Sequence, residues 1–511
     1  MTGNLLHCTL ERSAARVPDK EAIRHNGASL SYAALLSEAR GASAALLGLG
    51  RSVRGDRIAI FTEKGLSQAV WIYGCSIADR AFVLISDQLK YNQVEHILRD
   101  CGVSILVYGE TCSETALRAI ESLGIAALKS DSRADPSGVA PSRAITDDIA
   151  TIIYTSGSTG LPKGIVITHR NLLDGIDSVS EYLGITEKDR LLGVLPLNFD
   201  YGLNQLTSAV KAGASIVLHH FFVPGPMLKL IAEERITGLA AIPTIWAAVF
   251  NPKLTKLDKI LAEMDFSALR YITNSGGKIP VPTVRRIRES FPSTDLFLMY
   301  GLTEAFRSTY LDPSEVDARP ESMGKAIPGV QVEIVREDGT PCSAGETGEL
   351  IHRGALIARG YWNNPAKTAE VYRPNPLLPK ENRFLETVVY SGDLVRKDED
   401  GYLYYVGRKD NMIKISGYRV SPTEVEELLA SSGLVTESVV FGVPDDELGY
   451  RIRAVVAFKG DDNVVQLVDH CKRSAPSYLV PRDVLAVKAF PKTASGKIDR
   501  PAVVKEYGAD A

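Results

Sequence analysis

The stretch from Ala150 to Gly164 limits what this chain can fold into more than any other part of it. Ala150-Thr151-Ile152-Ile153-Tyr154 is a short β-branched, apolar run that stops abruptly at turn residues, which predicts a buried strand. Thr155-Ser156-Gly157-Ser158-Thr159-Gly160-Leu161-Pro162-Lys163 then alternates hydroxyls with glycines and closes on a lysine. Glycines let backbone N–H groups turn inward, hydroxyls add donors and Lys163 adds a positive charge, so the loop can wrap a polyphosphate. An ordinary Gly/Ser surface loop explains a three-residue match, not this whole run in this order. A P-loop needs Gly-x4-Gly-Lys-Ser/Thr, whereas here Pro162 precedes Lys163 and Gly164 follows it.

A strand feeding such a loop belongs in an α/β sheet, and the flanking sequence alternates accordingly. Residues 31–49, 91–100, 171–183 and 226–235 carry helical spacing, while 57–62, 103–108 and 215–218 read as strands. This predicts βα units and mostly parallel, doubly wound sheets. From about residue 320 to 406, β-rich runs between Gly and Asp turns predict a small β subdomain, with Asp398-Glu399-Asp400-Gly401 turning a hairpin. Ser421-Pro422-Thr423-Glu424 opens a helix by cap, first-turn proline and following glutamate, and the last hundred residues or so read as a small α+β unit.

Composition removes several function classes. At 511 residues the chain exceeds one ordinary core. A net charge of −4 leaves no basic footprint for nucleic acid. Six cysteines without a CxxC pair or a histidine at ligand spacing argue against a zinc site or disulfide framework and for a reducing compartment. The longest apolar segments, such as 239–250, are too short to span a bilayer, and no basic leader opens the chain, so no membrane span and a cytoplasmic location are expected.

Further stretches carry chemistry. Phe199-Asp200-Tyr201 places a carboxylate beside aromatics at a helix start, where Asp200 would equally serve as a cap. Tyr271-Ile272-Thr273-Asn274-Ser275-Gly276-Gly277 and Phe297-Leu298-Met299-Tyr300-Gly301-Leu302-Thr303-Glu304 are both strand exits, the place where open α/β sheets bind ligands. Tyr300 offers a flat face, Thr303 a hydroxyl and Glu304 a hard carboxylate suited to magnesium. Asp393 lies on a turn and can accept sugar hydroxyls, and Lys497 rides on a polar loop near the end.

Together these stretches resemble the adenylate-forming superfamily of acyl-CoA synthetases, amino-acid-adenylating domains and luciferases, over nearly the whole chain. The resemblance implies an N-terminal ATP- and acyl-binding domain at 1–406, a hinge at 407–410 centred on Asp410, and a mobile C-terminal domain at 411–511. It implies that Thr155, Ser156, Gly157, Ser158, Thr159, Gly160 and Lys163 hold the β- and γ-phosphates of ATP. Gly276, Gly277 and Tyr300 would sandwich the adenine, Asp393 and Arg408 take the ribose, Thr303 touch the α-phosphate and Glu304 bind Mg2+. Lys497 would bridge the substrate carboxylate and α-phosphate, and Lys414 and Gly417 would reach a pantetheine tunnel after the small domain turns.

Family pocket positions for the acid correspond to Asp200, Tyr201, Asn204, Ala240, Ile272, Asn274, Met299, Arg307 and Ser308. Asp200 matches the carboxylate that holds an amino group in amino-acid-adenylating domains, and Arg307 beside it is unusual. Either the two pair, the reading that buried charges favour, or they flank a polar substrate, Arg307 meeting a second carboxylate. The wording is closest to stand-alone acyl-CoA ligases, so the expected reaction is ATP-driven activation of a small carboxylic acid followed by transfer to coenzyme A. The alternative acceptor is the phosphopantetheine of a carrier protein in trans, since no carrier domain follows Ala511. A non-enzymic nucleotide-binding protein is disfavoured by intact Lys163, Glu304, Asp393 and Lys497.

Overall fold

The structure is a computed structural model that describes residues 4–155, 162–409, 411–415, 418–445, 449–461, 463–475 and 479–508. Ser156, Gly157, Ser158, Thr159, Gly160, Asp410 and Gly417 therefore lie outside the described residues, as does the side chain of Lys414.

A large sheet-rich N-terminal part is followed by a smaller C-terminal one. The strand Arg57–Phe61 shows why the first sheet is buried on both faces. Its Ile58 and Ile60 point into the central core, while Ala59 and Phe61 point into a second core made with the helices Tyr91–Cys101 and Ser113–Leu123. Such a strand reads as a continuous apolar run rather than an alternating one. Its sheet ends on Ile149–Thr155 and Lys163–Thr168, which pair antiparallel with Thr155 opposite Lys163. The strands on either side of the Ser/Gly segment are thus direct antiparallel neighbours. A P-loop would instead lead from its strand into a helix, so that alternative fails on topology as well as on sequence.

The second sheet carries a parallel run in which Arg190–Gly193, Gly238–Ala241, Tyr271–Asn274 and Asp295–Tyr300 lie close together. Between the two sheets one core gathers the helices Leu6–Arg16, Tyr32–Gly48, Leu66–Ile77, His169–Leu183 and Asp200–Ala212. The expected β subdomain is not separate at the level of pairing. Thr309–Leu311 pairs with Ser322–Ala326 and that strand with Leu403–Arg408, so the antiparallel strands continue the parallel sheet edge to edge.

The C-terminal part builds its sheet from Val435–Asp445, Gly449–Phe458 and Asp483–Ala486, over its own core. Its helix Pro422–Ser431 is capped by Ser421, whose hydroxyl accepts from Thr423 N–H at 3.2 Å and donates to the Val406 carbonyl. Among the described residues, no helix is long and apolar enough to cross a membrane.

Candidate active site

The register of the parallel strands builds the site. Asn274 pairs with Leu298, so the chain leaves Tyr271–Asn274 and Asp295–Tyr300 side by side at their carboxyl ends. Gly276 and Gly277 follow the first strand; Tyr300, Thr303 and Glu304 end or follow the second. Arg190–Gly193 exits at the same edge into the segment that delivers Phe199 and the helix Asp200–Ala212. A lysine that sequence reasoning missed stiffens this exit. Buried Lys64 donates to the carbonyls of Gly193 at 3.0 Å, Val194 at 2.9 Å and also His219. Burial pulls its ammonium down to about 7, and the carbonyl oxygens around it are the acceptors that a charged form requires.

The residues expected beside the adenine form a layered stack. Tyr300 lies on His352 with ring centroids 6.0 Å apart and 19° between planes, and its hydroxyl donates to Asp393. Burial depresses the His352 imidazole to about 3, so a neutral ring backs the tyrosine. Asp393 sits opposite Arg408 in the strand pair and accepts from its guanidinium at 3.0 Å.

Glu304 is fixed by a contact that sequence reasoning also missed. The Tyr361 hydroxyl donates to its carboxylate, while Ala358 N–H donates to its carbonyl at 2.9 Å. The strap that carries Tyr361 crosses the lysine-bearing strand through Trp362 N–H to the Gly164 carbonyl at 2.8 Å. The turn-rich cluster Gly360-Tyr361-Trp362-Asn363-Asn364-Pro365 was the available signal.

Lys497 comes from the C-terminal part. Its loop turns tightly, with Gly496 N–H donating to the Thr493 carbonyl at 2.8 Å, and Thr244 anchors it by donating to the Gly496 carbonyl at 2.9 Å. The side chain then lies over Gly276, where an added Cβ would fall 3.1 Å from Lys497 Cε, and its Nζ sits 4.6 Å from the centre of the Phe199 ring. Gly276 has φ +80°, so both the turn and the close approach require glycine. Burial draws the Lys497 ammonium below the usual lysine range, opposed by Asp200, reinforced by Arg307 and opposed again by Glu304. Lys278, next after the glycine pair, ion-pairs with Glu427 of the C-terminal part.

Of the residues expected around the acid, Tyr201, Asn204, Ala240, Met299 and Arg307 line one small cavity. Asp200, Ile272, Asn274 and Ser308 are buried nearby without lining it. Sequence reasoning missed Thr273, Gln205 and the apolar wall of Val179, Leu183 and Leu191. The expected Asp200–Arg307 pairing is corrected: among the described residues no ion pair joins them. Asp200 is the first residue of its helix rather than the cap, and its carboxylate accepts from Tyr201 N–H at 2.8 Å. Arg307 instead stacks on Tyr201, with its guanidinium carbon 4.7 Å from the ring centre.

Elsewhere, and against the expectation that no histidine stands at ligand spacing, His7, Cys8 and Glu11 bring possible ligand atoms within 4.8 Å of one another. His7 Nδ1 is there within 3.0 Å of the Ser76 hydroxyl.

A family model described as "AMP-binding enzyme" matches residues 10–362, and one described as "AMP-binding enzyme C-terminal domain" matches residues 424–497. Feruloyl-CoA synthase of Amycolatopsis sp is 30% identical, over 97% of this chain and 98% of that protein. The L-proline--[L-prolyl-carrier protein] ligase of Pseudomonas fluorescens is 28% identical, over 98% of this chain and 99% of that protein. The chain spans only 14% of surfactin synthase subunit 2 of Bacillus subtilis, although that match covers 98% of the chain at 29% identity. Among solved structures, an anthranilate CoA ligase in complex with anthranoyl-AMP superposes with a TM-score of 0.88 at 26% identity, covering 98% of this chain and 97% of that one. An o-succinylbenzoate coenzyme A synthetase from Bacillus subtilis, in complex with ATP and magnesium ion, gives 0.83 at 25% identity, covering 96% and 98%.

Proposed function

This chain belongs to the AMP-binding enzyme family of AMP-forming ligases, and from that premise we propose that it activates a small carboxylic acid with ATP to an acyl-adenylate, releasing pyrophosphate, and passes the acyl group from the adenylate to coenzyme A, releasing AMP. The observation that carries the reading is the seat of Lys497. A lysine from the C-terminal part reaches the carboxyl ends of the parallel strands and lies on the Gly276 backbone, in the electrostatic field of Asp200, Arg307 and Glu304. A carboxylate attacking the α-phosphorus of ATP brings anions together, so the work of the site is charge neutralisation and alignment.

On this reading Lys497 holds the attacking carboxylate against the α-phosphate, while Thr303 donates to that phosphate. Tyr300, backed by His352, and the Gly276-Gly277 backbone bound the adenine; Asp393, oriented by Arg408 and Tyr300, accepts from the ribose hydroxyls. Lys163 and the loop residues Thr155, Ser156, Gly157, Ser158, Thr159 and Gly160 hold the outer phosphates. Glu304 fits magnesium: it offers a hard oxygen at a strand exit, and Tyr361 fixes the carboxylate without neutralising it. Bound there, the ion supplies positive charge to the phosphate oxygens. The far end of the acid reaches the small cavity of Tyr201, Asn204, Ala240, Met299 and Arg307, with Asp200, Ile272, Asn274 and Ser308 buried nearby.

Transfer to the thiol then follows rotation of the C-terminal part about residues 407–410, with Asp410 at the pivot. Lys497 leaves and the Lys414 to Gly417 segment takes its place. A second acceptor, the phosphopantetheine of a separate carrier protein, is favoured by Asp200 at the site and by the likeness to the L-prolyl-carrier protein ligase. ATP–pyrophosphate exchange across amino, aryl, dicarboxylic and aliphatic acids tests the first step. Exchange with an acid that is lost in Lys497→Ala supports the reading, and no exchange on a broad panel overturns it. Adding coenzyme A or a phosphopantetheinylated carrier to the exchanging acid then identifies the acceptor.

A further inference from the structure

Arg307 is a buried cation with vacant hydrogen-bond donors. It is 4% exposed, and among the described residues its Nε and Nη2 have no hydrogen-bond partner. Asn204 Nδ2, which belongs to the same cavity lining, has none either. A guanidinium is always charged and presents its donors as a planar fork, so leaving two of its nitrogens buried and unmet is costly unless a ligand meets them.

A strained turn immediately precedes Arg307. Arg307 N–H donates to the Ala305 carbonyl at 2.6 Å across Phe306, whose φ of +50° and ψ of −43° make a γ-turn of the rare, strained hand. A phenylalanine does not adopt that conformation unless packing forces it. Phe306 is fully buried against Gly175, where an added Cβ would lie 2.5 Å from its ring. Strain of this kind clusters at ligand clamps and active sites, and here it stands beside vacant donors.

The ligand's chemistry follows from the wall. Arg307 and Asn204 share their small cavity with Val179, Leu183, Leu191 and Tyr201, a mostly apolar wall interrupted by Gln205, Ser208 and Thr273, so the anion that meets them arrives as the far end of the acid's carbon skeleton. We propose that Arg307 and Asn204 form the receptor for a second carboxylate, and that the acid activated by this enzyme is a small dicarboxylic acid. This rests on the adenylation reading for the other carboxylate, the one that Lys497 holds. The Arg307 fork matches a carboxylate in two parallel N–H···O bonds, and Asn204 adds a third donor.

The test is calorimetric titration of the full chain, with magnesium and α,β-methylene-ATP present, using malonate, succinate and glutarate against butyrate and valerate. One of the dicarboxylates is expected to bind about 100-fold tighter than the monocarboxylates, and Arg307→Met to lose about that factor. Arg307→Lys, which keeps the charge and loses the fork, is expected to lose about 10-fold. The α,β-methylene-ATP titration of each variant reports that the nucleotide half still folds. Dicarboxylates binding no tighter than monocarboxylates, or Arg307→Met weakening the nucleotide analogue instead of the acid, overturns the proposal. ATP–pyrophosphate exchange run in parallel separates the two readings: Arg307-dependent dicarboxylate binding without exchange refutes adenylation and leaves the receptor standing.

Discussion

Gly175→Ala tests whether the strained turn at Phe306 is held by packing. Gly175 lies mid-helix in His169–Leu183, where alanine would ordinarily stabilise by about 1 kcal/mol. Here the new methyl would fall 2.5 Å and 2.7 Å from two Phe306 ring carbons and 3.5 Å from Leu356. The ring is fully buried and its backbone is fixed in the γ-turn, so it has little freedom to yield. Overpacking of this kind costs about 1–3 kcal/mol, and the upper part of that range applies where the obstacle is a ring rather than a flexible chain end. Set against the helix gain, the expected net loss is about 1–2 kcal/mol. With an unfolding entropy of about 2.1 cal/mol/K per residue over a unit of roughly 400 residues, that lowers the melting temperature by about 1–2 °C. Gly48→Ala is the control: Gly48 ends a helix with nothing within 4 Å of an added Cβ, so the change should leave stability unaltered or raise it slightly. Differential scanning fluorimetry of both variants, paired with the succinate titration, gives the readout. If Gly175→Ala raises the melting temperature like a free helical glycine and leaves acid affinity untouched, Phe306 is not clamped and the account of Arg307's placement fails.

Lys497→Ala removes a charge from the developing negative centre and is expected to slow exchange by about 10²–10³, while nucleotide affinity measured by titration changes much less. Because burial lowers the Lys497 pKa below 10.5, exchange should decline on the alkaline side as the ammonium loses its proton in that lowered range. Asp200 raises that pKa, so Asp200→Asn should move the alkaline limb to lower pH; an unmoved limb would assign it to another group. Tyr361→Phe frees the Glu304 carboxylate from its hydroxyl partner, and the magnesium concentration needed for half-maximal exchange is expected to rise about tenfold.

What could be read from the sequence divides along physical lines. Strands such as Ile149–Thr155 and Tyr271–Asn274, whose central residues are buried, announce themselves by β-rich runs that stop at turn residues, and they carried the site's framework with them. The return strand Lys163–Thr168 was not read as one, because its run follows a loop whose glycines speak for phosphate binding before they speak for a hairpin. Phe306 was invisible: positive φ is assigned from sequence to glycine and asparagine, and only packing against Gly175 makes a phenylalanine adopt it. The Asp200–Arg307 pairing followed a sound rule about buried charges, yet the γ-turn aims the guanidinium over Tyr201 and leaves the carboxylate to a backbone N–H. Lys64 acts through several long-range carbonyl contacts and Tyr361 through its hydroxyl on Glu304, and one residue of a common type leaves no local pattern.

The difference between Lys497 and Arg307 then explains why a site of this kind would use two cations. Lys497 stands on a loop of the C-terminal part, and among the described residues it meets the large part through the Thr244 hydrogen bond to its loop, the Gly276 backbone and the Phe199 ring, so that its withdrawal would break no strand pairing. Arg307 lies between two strands of the large sheet, fixed by a strained turn, a buried ring and stacking on Tyr201, and would stay in place. Under the proposed rotation, the first cation neutralises the attacking carboxylate only while the adenylate forms. On the dicarboxylate proposal, the second would keep its grip on the far end of the acid throughout. If both charges were mobile, the adenylate would lose its anchor at the moment the thiol arrives. If both were fixed, the carboxylate end would stay crowded by a lysine no longer needed there.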